Sequence, residues 1–304
     1  MQTLEGLKRR IKTTTSLKDI VSSMKTLSAV SVGQYEKSSR SLEKYVYVIE
    51  DALQAILKDI TLPDDKNDAT DKKIIAIMLG SDQGLVGKFN KVISDYAFNY
   101  FKKNNIKKEN VSLIVVGRSL SAKVLSAGWD INTLFTMPSS VKMMVNVAKK
   151  IILHLNEIVL NPEQKEDFNL ASGKYKILVF YNKKIDAVSF VQNMLQIMPV
   201  DMNYLRNLKN RKWKTKKIPM YNMDGALLLS SFIRQLLFVN IYRAISDSLA
   251  AEHFTRMITM QNAENNIDEH LEEMNLEYQQ RRQTEITNEL LDVVSGAEVL
   301  KSKK

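Results

Sequence analysis

The sequence predicts an α/β protein in which the N- and C-terminal helices form a long antiparallel coiled coil around an inserted α/β domain. Three observations point there. Both ends of the chain are proline-free and apolar at helical intervals, whereas the middle alternates short apolar runs with helical stretches. The ends also carry opposite charge. Residues 1–44 hold nine Lys or Arg against four acids, a net of +5; residues 252–304 hold six against eleven, a net of −5. Helices of opposite sign at opposite ends of one chain can close into a pair, with surface charge steering register more than adding stability.

The first element covers residues 1–60. Past its first turn it has a single glycine, Gly33, and its apolar positions run Leu4, Leu7, Ile11, then Leu17, Val21, Met24, and later Val46, Ile49, Leu53, Ile56. That is one helix of roughly 57 residues, about 85 Å long at 1.5 Å per residue. Thr3 with Gly6 offers a weak N-terminal cap. Thr13 to Ser16 thin the apolar seam, so the helix needs a partner. Residues 61–73 (TLPDDKNDATDKK) are polar, contain Pro63 and read as a linker.

The inserted domain is expected over residues 74–222. Residues 74–79 (IIAIML) and 111–116 (VSLIVV) are apolar runs closed by Gly80 and Gly117, as buried parallel strands are, and residues 176–181 (KILVFY) are a third. Residues 188–198 form an apolar stretch of open type that stops at Pro199. Helical patterns at 92–103, 122–126 and 141–160 fall between strands, which makes the layer Rossmann-like.

From residue 223 to 304 the chain is helical again. Met260, Ala263, Ile267, Leu271, Met274 and Tyr278 step by threes and fours as a coiled-coil seam does, and Ile286, Leu290, Val294, Ala297 and Leu300 continue the stripe. The matching N-terminal helix favours an internal pair over a dimer of two chains.

Composition narrows the function. With 304 residues there is room for one or two domains, and without cysteine there is neither a disulfide framework nor a thiolate metal site. The start of the chain is charged and lacks the apolar core of a secretory signal. The most apolar stretch, residues 226–251, is interrupted by Arg234, Arg243 and Asp247 and reads as a buried helix, not a membrane span. The formal charge of +10 suits nucleic acid, anionic membrane or acidic protein surfaces alike.

No motif reads as catalytic, cofactor-binding or metal-binding. Residues 80–88 (GSDQGLVGK) follow a strand and precede a helix, where a phosphate cradle would sit. Their spacing fits neither standard loop: three residues separate Gly80 from Gly84, Phe89 follows Lys88, and there is no Gly-x-Gly. A structural turn is the expectation. His253 and His270 lie 17 residues apart on one helix, about 25 Å, too far to share a metal. Residues 206–217 gather seven basic side chains around Trp213; a solvated loop or hairpin is expected, with single-stranded nucleic acid, acidic protein or lipid as competing partners.

At the ends the residues meet a family. Glu252-His253, Arg256-Met257, Met260, Asn262-Ala263, Tyr278, Arg282-Gln283, Ile286-Thr287, Glu289-Leu290 and Val294 to Ala297 resemble the C-terminal helix of gamma subunits of F-type rotary ATP synthases. Leu7 to Ile11 with Met24-Lys25 resemble that family's first helix. Residues 81–87 with Asn90 resemble its central Ser-Asp-x-Gly-Leu-x-Gly loop; residues 115–118 and 196–199 also match. The resemblance spans the whole chain in order.

It implies a non-catalytic rotor stalk that couples ion flow to the states of catalytic sites on beta subunits. The implied partners are the alpha and beta ring, the epsilon subunit and the membrane rotor ring, with no nucleic acid, no small-molecule substrate and no cofactor. The implied interface residues are Met24, Lys25, Arg282, Gln283, Thr287, Glu289, Leu290 and Val294. Lys25 would face acidic loops of the beta subunits, and the tip over residues 287–300 would turn in an apolar sleeve. The implied location is peripheral, on the cytoplasmic face of a bacterial inner membrane. Gln83, Val86 and Lys88 depart from most members, and Gly33 softens the first helix by about 1 kcal/mol relative to Ala. These departures resemble the alternate, N-type branch, whose rings often carry sodium.

Overall fold

The computed structural model describes residues 3–60, 73–159, 175–185, 189–213, 220–222 and 224–301. The first helix, α1, runs unbroken over Leu4–Asp59, and the last, α6, over Gly225–Lys301. By internal contacts the chain forms two compact units: Met1–Ser28 with Met257–Lys304, and Ala29–Arg256. Both long helices contribute to each.

In the first unit, α1 and α6 run antiparallel. The Lys18 ammonium lies 2.6 Å from the Asp268 carboxylate, and Lys25, later on α1, donates to Glu264, earlier on α6. The α6 seam is as the stepping predicts: Met260 is buried and Ala263, Ile267, Leu271, Met274 and Tyr278 are half-buried. The α1 seam differs at one place. Leu17 is 50% exposed, and Thr14 and Lys18 are half-buried instead. From Ile11 a helix returns to the same face after three or four residues, at 14 and 18, so the polar run pushes Leu17 off the seam. Thr3 does cap the helix: its Oγ1 accepts the Gly6 amide at 3.2 Å.

The second unit is a three-layer sandwich on a five-stranded sheet, ordered β3-β2-β1-β4-β5. Its strands are β1 (Lys73–Leu79), β2 (Val111–Val116), β3 (Thr133–Phe135), β4 (Tyr175–Lys184) and β5 (Phe190–Met198). The first four are parallel; β5 runs antiparallel to β4. Strand alternation decides which face each side chain covers. Ile74, Ala76, Met78, Leu113, Val115, Leu178 and Phe180 bury with α2 (Phe89–Lys103) and α3 (Arg118–Ser126). Ile75, Ile77, Leu79, Val179 and Tyr181 bury on the other side with α1, α4 (Val141–Val159), α5 (Met202–Asn210) and α6.

The stretch of open type before Pro199 is therefore an antiparallel edge strand; residue 188 and residues 61–72 of the expected linker lie outside the described residues, and its last residue, Lys73, opens β1. Two elements escape sequence reading: β3, too short for a periodic signal, and α5. The latter corrects the expected loop or hairpin at 206–217. Asp201 caps α5 by accepting the Asn203 amide at 2.8 Å, and Leu205 and Leu208 bury. Lys209 donates to the Ile60 carbonyl at 2.8 Å and Arg211 reaches Glu50 and Asp51 of α1 at 3.2 and 2.6 Å. The described part of this basic run is thus a packed helix and its cap; residues 214–217 lie outside the described residues.

Candidate functional site

In a sheet of this order the ligand crevice opens at the carboxyl ends of β1 and β4, where the connections diverge. The glycine loop leaves β1 at that point, and its Ser81 and Asp82 side chains are engaged by the chain itself. The Asn90 side chain accepts the Ser81 amide at 2.9 Å and donates to the Ser81 and Ser119 hydroxyls at 2.8 and 3.0 Å. Asp82 accepts the Arg118 amide at 2.9 Å and the Met137 amide at 3.1 Å. Its carboxylate therefore occupies the N-terminus of α3, a position that would attract a phosphate. Gly80 is glycine because a Cβ there would stand 2.4 Å from the Leu120 Cβ. Gly117 has φ +118°, and a Cβ would meet the Ser81 carbonyl oxygen at 2.8 Å.

The crevice itself is filled by the chain's own helix. Ala251 of α6 is buried against Val86 and Phe89, with Phe190 of β5 packed on them. The Asn182 amide at the end of β4 donates to the Phe89 carbonyl at 3.2 Å, and Lys184 lies 5.1 Å above the Phe254 ring and 2.6 Å from Glu36 of α1. One turn further, Glu252 and Arg256 form an ion pair at 2.7 Å, each side chain 7% exposed. Burial pushes the Glu252 carboxyl up to about 7 against the attraction of Arg256, with Asp82 adding to the rise. His253 stacks on Tyr35, ring centroids 5.4 Å apart, and burial followed by the Arg256 charge lowers it to about 4. Periodicity marks these α6 residues as helix and gives no hint that the helix plugs a crevice.

The sequence-predicted interface residues all fall in the first unit. Met24 and Lys25 are half-buried on α1, with Lys25 engaged by Glu264. That hydrogen bond holds the Glu264 carboxyl below the usual carboxylate range. Arg282, Gln283, Thr287, Glu289, Leu290 and Val294 are all exposed on α6, and the Thr287 hydroxyl donates to the Gln283 carbonyl at 2.8 Å. Ile286, Leu291 and Val293 are exposed beside them. The helix from 282 to 295 thus presents apolar side chains that no described residue of this unit covers. Among the described residues no group of three or more His, Cys, Asp or Glu side chains could hold a metal ion, and no helix is long and apolar enough to cross a membrane.

The chain is 24% identical to an ATP synthase gamma chain of Bdellovibrio bacteriovorus over 306 residues, covering 99% of this chain and all of that one. It is 26% identical to that of Pelagibacter ubique, again over 99% of this chain and the full relative. Its fold is similar to a chain of the Euglena gracilis mitochondrial ATP synthase OSCP/F1/c-ring structure, with a TM-score of 0.65 at 14% identity over 99% of this chain and 95% of that one. A chain of that enzyme's rotor aligns with a TM-score of 0.58, covering 93% and 98%. The family model described as ATP synthase matches residues 3–300, and with relatives matched end to end the chain belongs to the ATP synthase family, as one of its gamma chains.

Proposed function

We propose that this chain is the central rotor stalk of a rotary ATP synthase and carries torque without catalysing any step. Membership of the gamma chains over the full length supports that reading, and one structural observation carries it: the exposed apolar side chains of α6 at 286, 290, 291, 293 and 294. A contiguous apolar surface of this kind marks an interaction site. A sleeve formed by the alpha and beta ring is the partner that fits a helix uncovered on all sides. Arg282, Gln283, Thr287, Glu289, Leu290 and Val294 face that ring, as do Met24 and Lys25 lower on the pair. The α/β domain over residues 74–222 forms the foot on the epsilon subunit and the membrane ring, at the cytoplasmic face of a bacterial inner membrane. Turning the stalk brings each beta site in turn against a different face of the helix pair, which is how ion flow is coupled to ATP synthesis or hydrolysis. Neither nucleic acid nor a small-molecule substrate enters this role.

The test is recovery of the tagged chain in mild detergent from its own cells. The expected result is one copy with three alpha-like and three beta-like subunits and ATPase activity. A monodisperse dimer of this chain alone would sink the proposal.

A further inference from the structure

Parallel strands joined by right-handed crossovers bring every connecting helix back to the same end of the sheet. At that amino-terminal end, β1 starts at Lys73 and β2 at Val111, paired in register as Ile74 with Val111. The last turns of α2 and α3 return there, and they carry Lys102, Lys103 and Lys123. The short turn Lys108–Asn110 leads into β2. Lys73, Lys102, Lys103, Lys107, Lys108 and Lys123 are all exposed, against Glu109 and Asp130. Helix dipoles favour cations in the last turns, but Lys73, Lys107 and Lys108 lie outside any α-helix.

An apolar rim accompanies the charge. Trp129 stacks on Phe98 at 5.0 Å, with planes 3° apart, and the Lys108 ammonium sits 5.0 Å over the indole while donating to the Gly128 carbonyl at 3.0 Å. Leu125, one turn back on α3, is 57% exposed. Lysines present point charges on flexible stems, unlike the fixed forks of arginine that read a discrete anion. A comb of lysines around a half-buried tryptophan and an exposed leucine is suited to a diffuse, fluid anionic surface with an apolar layer beneath.

The geometry points to a lipid-facing edge: the lysines at the amino-terminal end of the sheet bind the anionic headgroup surface of a bilayer. The choice of a bilayer rests on the stalk reading, under which this unit works beside a membrane ring. Each lysine held near an anionic bilayer strengthens partition by about fivefold.

The test sediments the full-length chain with vesicles of phosphatidylcholine alone, or of equal parts phosphatidylcholine and phosphatidylglycerol. The wild type partitions onto the anionic vesicles and is released by salt. The variant K102Q/K103Q/K107Q/K123Q loses at least about tenfold in partition. The control K91Q/K142Q/K149Q/K150Q, which removes the same charge from exposed positions elsewhere on α2 and α4, loses less than about twofold. Equal losses from both variants would overturn the proposal. So would equal binding to neutral vesicles, or preference for a single-stranded oligonucleotide at matched phosphate. Vesicle binding needs no ring subunits, so a failed recovery of the ring would strike the stalk reading without altering this result.

Discussion

Glu252 and His253 are neighbours whose protons oppose each other. The Glu252 carboxyl, raised by burial from 4.5 to about 7, holds more protons folded than unfolded between those values, so its contribution to stability falls as pH rises through that window. His253, lowered from 6.5 to about 4, binds fewer protons folded than unfolded, so its contribution rises with pH from about 4 to 6.5. Between 4.5 and 6.5 the two largely cancel. Replacing Glu252 with Gln removes only the falling limb. The stability of wild type relative to Glu252→Gln should shrink by about 3 kcal/mol between pH 4.5 and 7, read from urea midpoints across that range. A constant gap would mean that the carboxyl titrates normally. Asn90 is a second residue-scale test. Asn90→Ala leaves the Ser81 amide buried without its acceptor and should cost about 1–3 kcal/mol in the same assay.

At the scale of elements, the long helices and the buried strands were legible because period and length speak for them. The run IIAIML, closed by Gly80, suits a strand buried on both faces, and β1 is that. Three features were hidden. The three-residue β3 is below any periodic signal. Helix α5 was masked by its charge: Leu205 and Leu208 hold it to the core, yet the lysines and arginines around them read as a solvated loop. The switch-point plug was invisible because Ala251 and Glu252 meet the loop after β1 across about 160 residues of chain. Gly33 offers a test at this scale. It sits inside α1, and a Cβ there would meet nothing within 4 Å. Gly33→Ala should therefore raise the thermal midpoint, in line with about 1 kcal/mol of helix propensity, whereas Gly80→Ala should lower it by colliding with Leu120.

For the whole molecule, the decisive prediction concerns the end of α6. Removing residues 287–304 takes away Leu290, Leu291, Val293 and Val294, all exposed in the free chain. The shortened chain should be the more soluble of the two by light scattering, since it loses uncovered apolar surface. In its assembled complex, the same truncation should reduce torque and ion-coupled ATP synthesis. Unchanged coupling would show that the tip does no mechanical work.

The pairing of the two terminal helices also has a cost in time. The Ser39 hydroxyl donates to Asp247 at 2.7 Å, a partner 208 positions later, and the Ser246 hydroxyl reaches back to the Tyr35 carbonyl. A ribosome adding roughly 5–20 residues per second needs about 10–40 s to cover that distance. Throughout that interval the buried face of α1, with Tyr35, Ile49 and Leu53 on it, has been made and has nothing from α6 to lie against. Every newly made copy passes through this half-built state, so the first helix is the segment a chaperone would have to hold while the last one is still being translated.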